Sequence, residues 1–284
     1  MSNFIFSAFA DEISSDFTEQ LEALVKLNIP YIELRGVNGQ SFTTLTDTEI
    51  LNVKALLAKY NISVWSLGSP IGKINTDGDF EEHKKLFTRI MDIGDMLNVK
   101  RIRMFSFYPE ENITDEMFEA KVFSMIEELL QMSEARGFIL CHENEKDIYG
   151  YSPDRVLKLV KHFNGRLRVV LDNGNFPFCG QPADQAYSML KNYIEYLHIK
   201  DADEDGTIVP PGAGKAYIEE LLRDISTDRP NDDIVITMEP HLMMFTGLSS
   251  LSKLDDIKHK YSYDSPYQAF ETATNLVRHI ISRI

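Results

Sequence analysis

Short runs of β-forming residues recur along the whole chain, and the segments between them carry helical periodicity. The runs are FIFSAFA (4–10), YIELR (31–35), ISVWSLG (62–68), KRIRMFSF (100–107), FILCHE (138–143), LRVVLDN (167–173), YLHIK (196–200) and DIVITMEP (233–240). Strands that alternate with helices build a parallel sheet. Eight such units predict a single (β/α)8 TIM barrel, one α/β domain spanning 1–284.

The intervening segments carry their own start and stop signals. Thr46 and Glu49 have the spacing of a capping box, ahead of an apolar stripe of Ile50, Val53 and Leu57. Ser152 with Pro153, and Ser265 with Pro266, set a capping side chain before a proline in the first helical position. Gly137 ends the long stripe from Met117 to Arg136. No linker, repeat or low-complexity segment divides the chain. The one long irregular stretch, 241–264, is expected to be a lid or an oligomer contact.

Buried parallel strands should be nearly continuous apolar runs, so ionisable side chains at their C-terminal ends call for an explanation. In YLHIK, Leu197 and Ile199 share one parity and His198 and Lys200 the other; in YIELR, Ile32 and Leu34 oppose Glu33 and Arg35. In VITMEPH, Ile236 and Met238 oppose Thr237, Glu239 and His241. The polar parity is expected at the barrel mouth, where barrel enzymes keep their sites. Glu143, Asp172, His198 and Glu239 end strands five to eight, one βα unit apart, and should converge. Three carboxylates brought together repel unless a cation neutralises them. One divalent ion is therefore expected, with Mn²⁺, Mg²⁺ or Co²⁺ suited to this oxygen-rich set and Zn²⁺ also compatible. Glu145, two residues beyond Glu143 on the same parity, is the alternative ligand. His142 should point to the helices as a structural residue, and Cys141 should fill the core. His83, His162 and His279 lie in helical patterns and are expected to be solvated.

Charge narrows the classes of partner. With 44 acidic and 29 basic residues the net charge is −15, which repels polyphosphate and makes nucleic acid an unexpected partner. The opening MSNFIFSAFADEISS lacks a basic flank, and no apolar run reaches the ~18 residues that span a bilayer. No membrane association is expected. Two cysteines, Cys141 and Cys179, imply no disulfide framework, and a cytoplasmic location is the expectation.

In ordered motifs the chain resembles the sugar isomerases and epimerases of the xylose-isomerase-like barrel superfamily. CHENE (141–145) resembles its metal-binding glutamate strand, VLDNGN (170–175) its aspartate strand, LHIKD (197–201) its HxKD strand, and ITMEP (236–240) its closing glutamate strand. GAGKAYIEELL (212–222) resembles the segment before a late helix; it lacks the full P-loop pattern, and its glycines are expected to shape a turn. SPIGK (69–73) resembles a substrate loop of one branch, which implies Ser69 and Lys73 as substrate contacts. Asn175 stands where many relatives carry a substrate-contacting histidine.

The resemblance implies a metal-dependent isomerase or epimerase of a small sugar or ketose-like compound, working through a stabilised enediolate. Manganese is the metal it favours. It implies that Glu143 and Glu239 also move the proton, and that Lys200, Arg35, Arg103, Glu145, Asn175 and His241 orient the substrate. A dehydratase of an inosose-like ketone is the alternative within the superfamily. A silent sugar-binding protein and an apurinic-site endonuclease are the more distant ones, the latter needing further histidine ligands. Such barrels commonly self-associate, so a homo-oligomer is expected.

Overall fold

Each of the eight runs forms a strand. In the computed structural model, which describes residues 2–243 and 261–284, these are β1 (Asn3–Ala8), β2 (Tyr31–Leu34), β3 (Ser63–Gly68), β4 (Arg101–Met104), β5 (Ile139–Glu143), β6 (Arg168–Asp172), β7 (Ile194–Ile199) and β8 (Asp233–Met238). All pairings are parallel, and the hydrogen-bonded order is β1-β8-β7-β6-β5-β4-β3-β2. The terminal strands β1 and β2 pack against each other. Among the described residues no ladder joins them, so the barrel closes through side chains at one seam.

The helices are α1 (Phe17–Lys26), α2 (Asp47–Tyr60), α3 (Phe80–Leu97), α4 (Asp115–Glu134), α5 (Pro153–His162), two short ones, α6 (Asn175–Phe178) and α7 (Ala186–Leu190), then α8 (Ile218–Asp228) and α9 (Pro266–Ile281). The Thr46–Glu49 box forms: Thr46 N donates to Glu49 Oε2 at 2.7 Å and Glu49 N donates to Thr46 Oγ1 at 3.4 Å. Ile50, Val53 and Leu57 are the buried face of α2. Ser152 and Ser265 cap α5 and α9 ahead of their prolines. No helix among the described residues is long and apolar enough to cross a membrane. The irregular stretch expected to act as lid or oligomer contact lies largely outside the described residues.

Two boundaries differ from the sequence reading. The fourth strand stops at Met104 rather than running to Phe107, because the loop beyond it pairs with the SPIGK loop: Phe105 N donates to Ile71 O at 2.7 Å and Phe107 N to Gly72 O at 2.9 Å. β7 begins earlier than expected, at Ile194, because Glu195 faces the barrel floor, where Arg101 Nε and Arg168 Nε lie 2.9 and 3.3 Å from its carboxylate. Above that floor a small apolar layer of Cys141, Val170, Tyr196 and Val235 fills the barrel axis. Cys141 is thus core filling, as expected. The polar residues at the mouth rest on this plug. The main core lies between strands and helices.

The expectation of three solvated helical histidines holds for two. His162 and His279 are exposed, but His83 is buried, and Gly72 N donates to its Nε2 at 2.8 Å. Burial pushes that imidazole down to about 4, which keeps it neutral and able to accept. The SPIGK loop is therefore anchored to α3.

Candidate metal centre

Glu143 and Asp172 are the last residues of β5 and β6, His198 is the penultimate residue of β7, and Glu239 follows β8 with its N–H still donating to Ile199 O at 3.1 Å. Strand parity brings one ligand atom of each within 4.8 Å of the others, and all four residues are buried. His198 Nδ1 lies 3.2 Å from Glu143 Oε1 and 3.2 Å from Glu239 Oε2. Asp172 Oδ2, His198 Nδ1 and Glu239 Oε2 are buried without a well-directed hydrogen bond. Polar atoms that converge in a dry place without good hydrogen bonds are costly unless a cation, a proton or a metal ion, sits among them. The pocket beside them, about 30 Å³, is lined by Glu143, Lys200, Glu239 and His241 and is of the size an ion needs. The donor set fits one divalent ion.

Each donor is held by partners that leave an oxygen or nitrogen for that ion. The Asn144 side chain bridges the Asp172 backbone, donating to its O at 2.7 Å and accepting from its N at 3.0 Å. Asn175 N donates to Asp172 Oδ1 at 3.1 Å, which turns Oδ2 inward. Glu143 Oε2 accepts from Arg103 Nη1 at 2.8 Å, and Glu239 Oε1 accepts from Arg35 Nη1 at 2.9 Å. Each glutamate thus gives one oxygen to an arginine and points the other at His198 Nδ1.

The imidazole is fixed from below. His198 Nε2 donates to Glu33 Oε2 at 2.9 Å, and Glu33 also accepts from Thr237 Oγ1 at 3.0 Å and, through Oε1, from Tyr196 Oη at 2.8 Å. A ligating histidine whose far nitrogen is held by a carboxylate has its tautomer set, with the near nitrogen free for metal. Glu33 was visible in the sequence as a polar residue of the right parity, but nothing there distinguished a carboxylate beneath the site from one at its rim.

Charges divide the four donors. Burial alone would raise Glu143, but His198 and Arg103 hold it down at about 2. Glu239 lies well below the usual range because Lys200 and His241 outweigh its burial. Asp172 is pushed up to about 6 by burial. Burial would depress His198, yet Glu33 and Glu143 raise it well above its ordinary value.

The residues expected to meet substrate separate into groups. Lys200 Nζ lies 3.0 Å from Asp172 Oδ2, while its sequence neighbour Asp201 is taken by backbone amides. Lys73 Nζ pairs with Glu145 Oε2 at 2.7 Å, and both line the pocket, so Glu145 is not among the converging donors. Asn175 lines the same pocket and donates to Asn144 O at 2.9 Å. Ser69 is buried, its hydroxyl donating to Arg103 O at 2.5 Å. His142 is buried with Nε2 2.9 Å from Ser106 Oγ, the structural role expected of it.

Glu12, Glu239 and His241 form a second acidic cluster. Sequence reasoning missed Glu12, which follows β1 in a 3-10 turn. Arg35 supplies a positive charge there, its Nη2 lying 3.6 Å from Glu12 Oε1. Glu12 Oε2 accepts from His241 N at 2.9 Å, which holds His241 in a left-handed conformation at φ 49°.

The model of the xylose isomerase-like TIM barrel family matches residues 21–249. Among curated proteins no relative matches the chain. Solved structures are similar over nearly their full length at low identity. D-Psicose 3-epimerase from Clostridium cellulolyticum H10, solved with D-tagatose, is 17% identical, with 99% of this chain and 99% of that chain covered at a TM-score of 0.71. The IolI protein with a zinc atom is 18% identical, 99% and 98% covered, TM-score 0.74. The probable 3-DHS dehydratase AsbF from Bacillus anthracis is 12% identical, 98% and 99% covered, TM-score 0.72. At these identities the likeness is one of fold.

Proposed function

Since this chain belongs to the xylose isomerase-like TIM barrel family, we propose that it is a metal-dependent isomerase or epimerase of a small sugar or hydroxy-carbonyl compound. The observation that carries the reading is the pair of glutamates whose free oxygens flank one imidazole nitrogen at 3.2 Å each. Glu143, Asp172, His198 and Glu239 would hold one divalent ion, Mn²⁺ by preference, with Mg²⁺, Co²⁺ or Zn²⁺ able to substitute. When bound, such an ion polarises the substrate carbonyl and makes the neighbouring C–H acidic.

The chain's own residues do the rest. Glu143 and Glu239 are kept ionised by their arginine, lysine and histidine neighbours, so either can take up a proton at neutral pH. Arg103 and Arg35 fix the angle at which each carboxylate meets the substrate. Proton removal by one glutamate and return by the other inverts a carbon; one glutamate serving two adjacent carbons moves the carbonyl. Lys200, Asn175, Lys73, Glu145 and His241 line the pocket and would orient substrate hydroxyls.

The test is metal content of the wild type beside Glu239→Gln and His198→Ala, then deuterium uptake by a panel of ketoses in D2O with Mn²⁺. About one ion per chain, lost in both variants, and exchange of an α-hydrogen are the expected results. Metal content indifferent to both substitutions overturns the site. Release of water and an enone product instead marks a dehydratase, and tight binding without exchange marks a sugar-binding protein.

A further inference from the structure

Next to the metal pocket lies a larger cavity of about 480 Å³, with Lys73 and Arg103 in the wall between the two. All four metal donors come from the ends of β5 to β8. The side of the ion left for substrate therefore faces the β1 to β4 half of the mouth. Arg35, Gly68 and Arg103, at or just past the ends of β2, β3 and β4, line the larger cavity. Its outer wall is the hairpin of Gly36–Val37 and Gln40–Ser41, with Thr43 beyond it, and Phe105 supplies an aromatic face.

Three properties of this cavity bear on its ligand. The first is size. An apolar cavity of about 150 Å³ already accepts benzene, so the three-carbon tail of a ketohexose would leave most of this space empty. The second is charge. Each cation that reaches it is committed to carboxylates: Arg35 to Asp11 at 2.9 Å and to Glu239, Arg103 to Glu143, Lys73 to Glu145. What the hairpin side adds is neutral: Gln40, Ser41 and Thr43. The third is a fixed outer wall. Gln20 lines the cavity and is wholly buried; its Nε2 donates to Ser14 O at 2.9 Å and Gly36 O at 3.2 Å, which ties the hairpin to the turn ahead of α1. A wall held from behind in this way leaves the space formed before a ligand arrives.

We infer that this cavity binds an uncharged glycosyl unit carried by the ketose, so that the substrate is a ketose glycoside of disaccharide size. The inference rests on the proposed isomerase chemistry for where the reacting end sits, and on the cavity alone for what fills the rest. Specificity would lie with Gln40, Ser41 and Thr43, none of which touches the metal donors.

Three probes share the same reacting end and differ only at O6: D-fructose, D-fructose 6-phosphate and isomaltulose, which carries a glucosyl group there. With the Mg²⁺-loaded enzyme, deuterium exchange at C3 is expected to favour isomaltulose over D-fructose by about tenfold in kcat/KM, with the phosphate poorest. Thr43→Val and Gln40→Ala should erase that preference and leave D-fructose unchanged. D-Fructose equal to or better than isomaltulose overturns the inference, as does preference for the phosphate. If none of the three exchanges, the isomerase reading fails and the cavity is judged by binding. Isomaltulose seen by saturation-transfer NMR on the wild type but not on Thr43→Val keeps the glycosyl site; absence of binding removes it.

Discussion

His198 and Glu33 show how much of the centre depends on a residue that would not touch the ion. Glu33 fixes the His198 tautomer through Nε2, so Glu33→Gln should weaken metal affinity by roughly 10- to 100-fold while leaving all four donors in place. Competition against a metal-sensitive dye would read this, and an unchanged affinity would show that the imidazole is oriented by packing alone. The same carboxylate, with Glu143, raises the His198 pKa, so in the metal-free protein Nδ1 is protonated as well as Nε2 at neutral pH. Metal uptake should then displace about one proton and weaken as pH falls. Calorimetry in two buffers of different ionisation enthalpy measures the number directly. Glu239→Gln removes one proton-transfer group and one donor, and α-hydrogen exchange should fall by about 10² to 10⁴. The four donors were legible because each breaks an apolar strand at its mouth end. The arginine partners of Glu143 and Glu239 were not: parity gives the face of a strand, but pairing across the barrel depends on depth and tilt, which no single strand encodes.

The turn after β7 is held by a carboxylate rather than by apolar packing. Asp201 accepts backbone N–H bonds from Ala202 at 2.9 Å, Gly212 at 2.8 Å, Gly214 at 3.0 Å and Ala216 at 3.0 Å. Gly214 is required by this approach, since a Cβ there would come within 2.3 Å of Asp201 Oδ1 and 2.6 Å of Ala202 O. Asp201→Ala strips four buried or half-buried donors of their acceptor and should cost several kcal/mol, at about 1 to 3 for each one left buried without water. Gly214→Ala should perturb the same turn through backbone overlap. By contrast Thr46→Ala loses one end of a surface capping box and should cost about 1 kcal/mol, roughly 2 to 4 °C in Tm for a chain of this size. Thermal melts of the three variants test the order. Caps were readable because their partners lie three residues apart. The fate of Asp201 was not, because its partners are up to 15 residues away.

Across the whole molecule the alternation of strand and helix carried the barrel, and the ordered strand-end motifs carried the family. Closure was the part that periodicity could not express, since a repeat of βα units is equally compatible with an open sheet. The structure closes by placing β1 beside β2, with Arg35 bidentate on Asp11 at 2.9 and 3.0 Å across the gap and Phe9 stacked 4.1 Å from the guanidinium. A metal that binds only the folded chain should raise Tm in proportion to the logarithm of its concentration, and the His198→Ala variant should show no such rise. The closure has one more consequence. The barrel is a rolled ribbon with two edges, and the fastening near its rim is the same guanidinium that steadies Glu239. Cutting that fastening with Asp11→Asn should let the ribbon part along β1 and β2, so deuterium enters their amides early while β5 to β7 stay protected. The edge that opens first would then be the one beside a proton-transfer group, tying the durability of the active site to the weakest line in the wall.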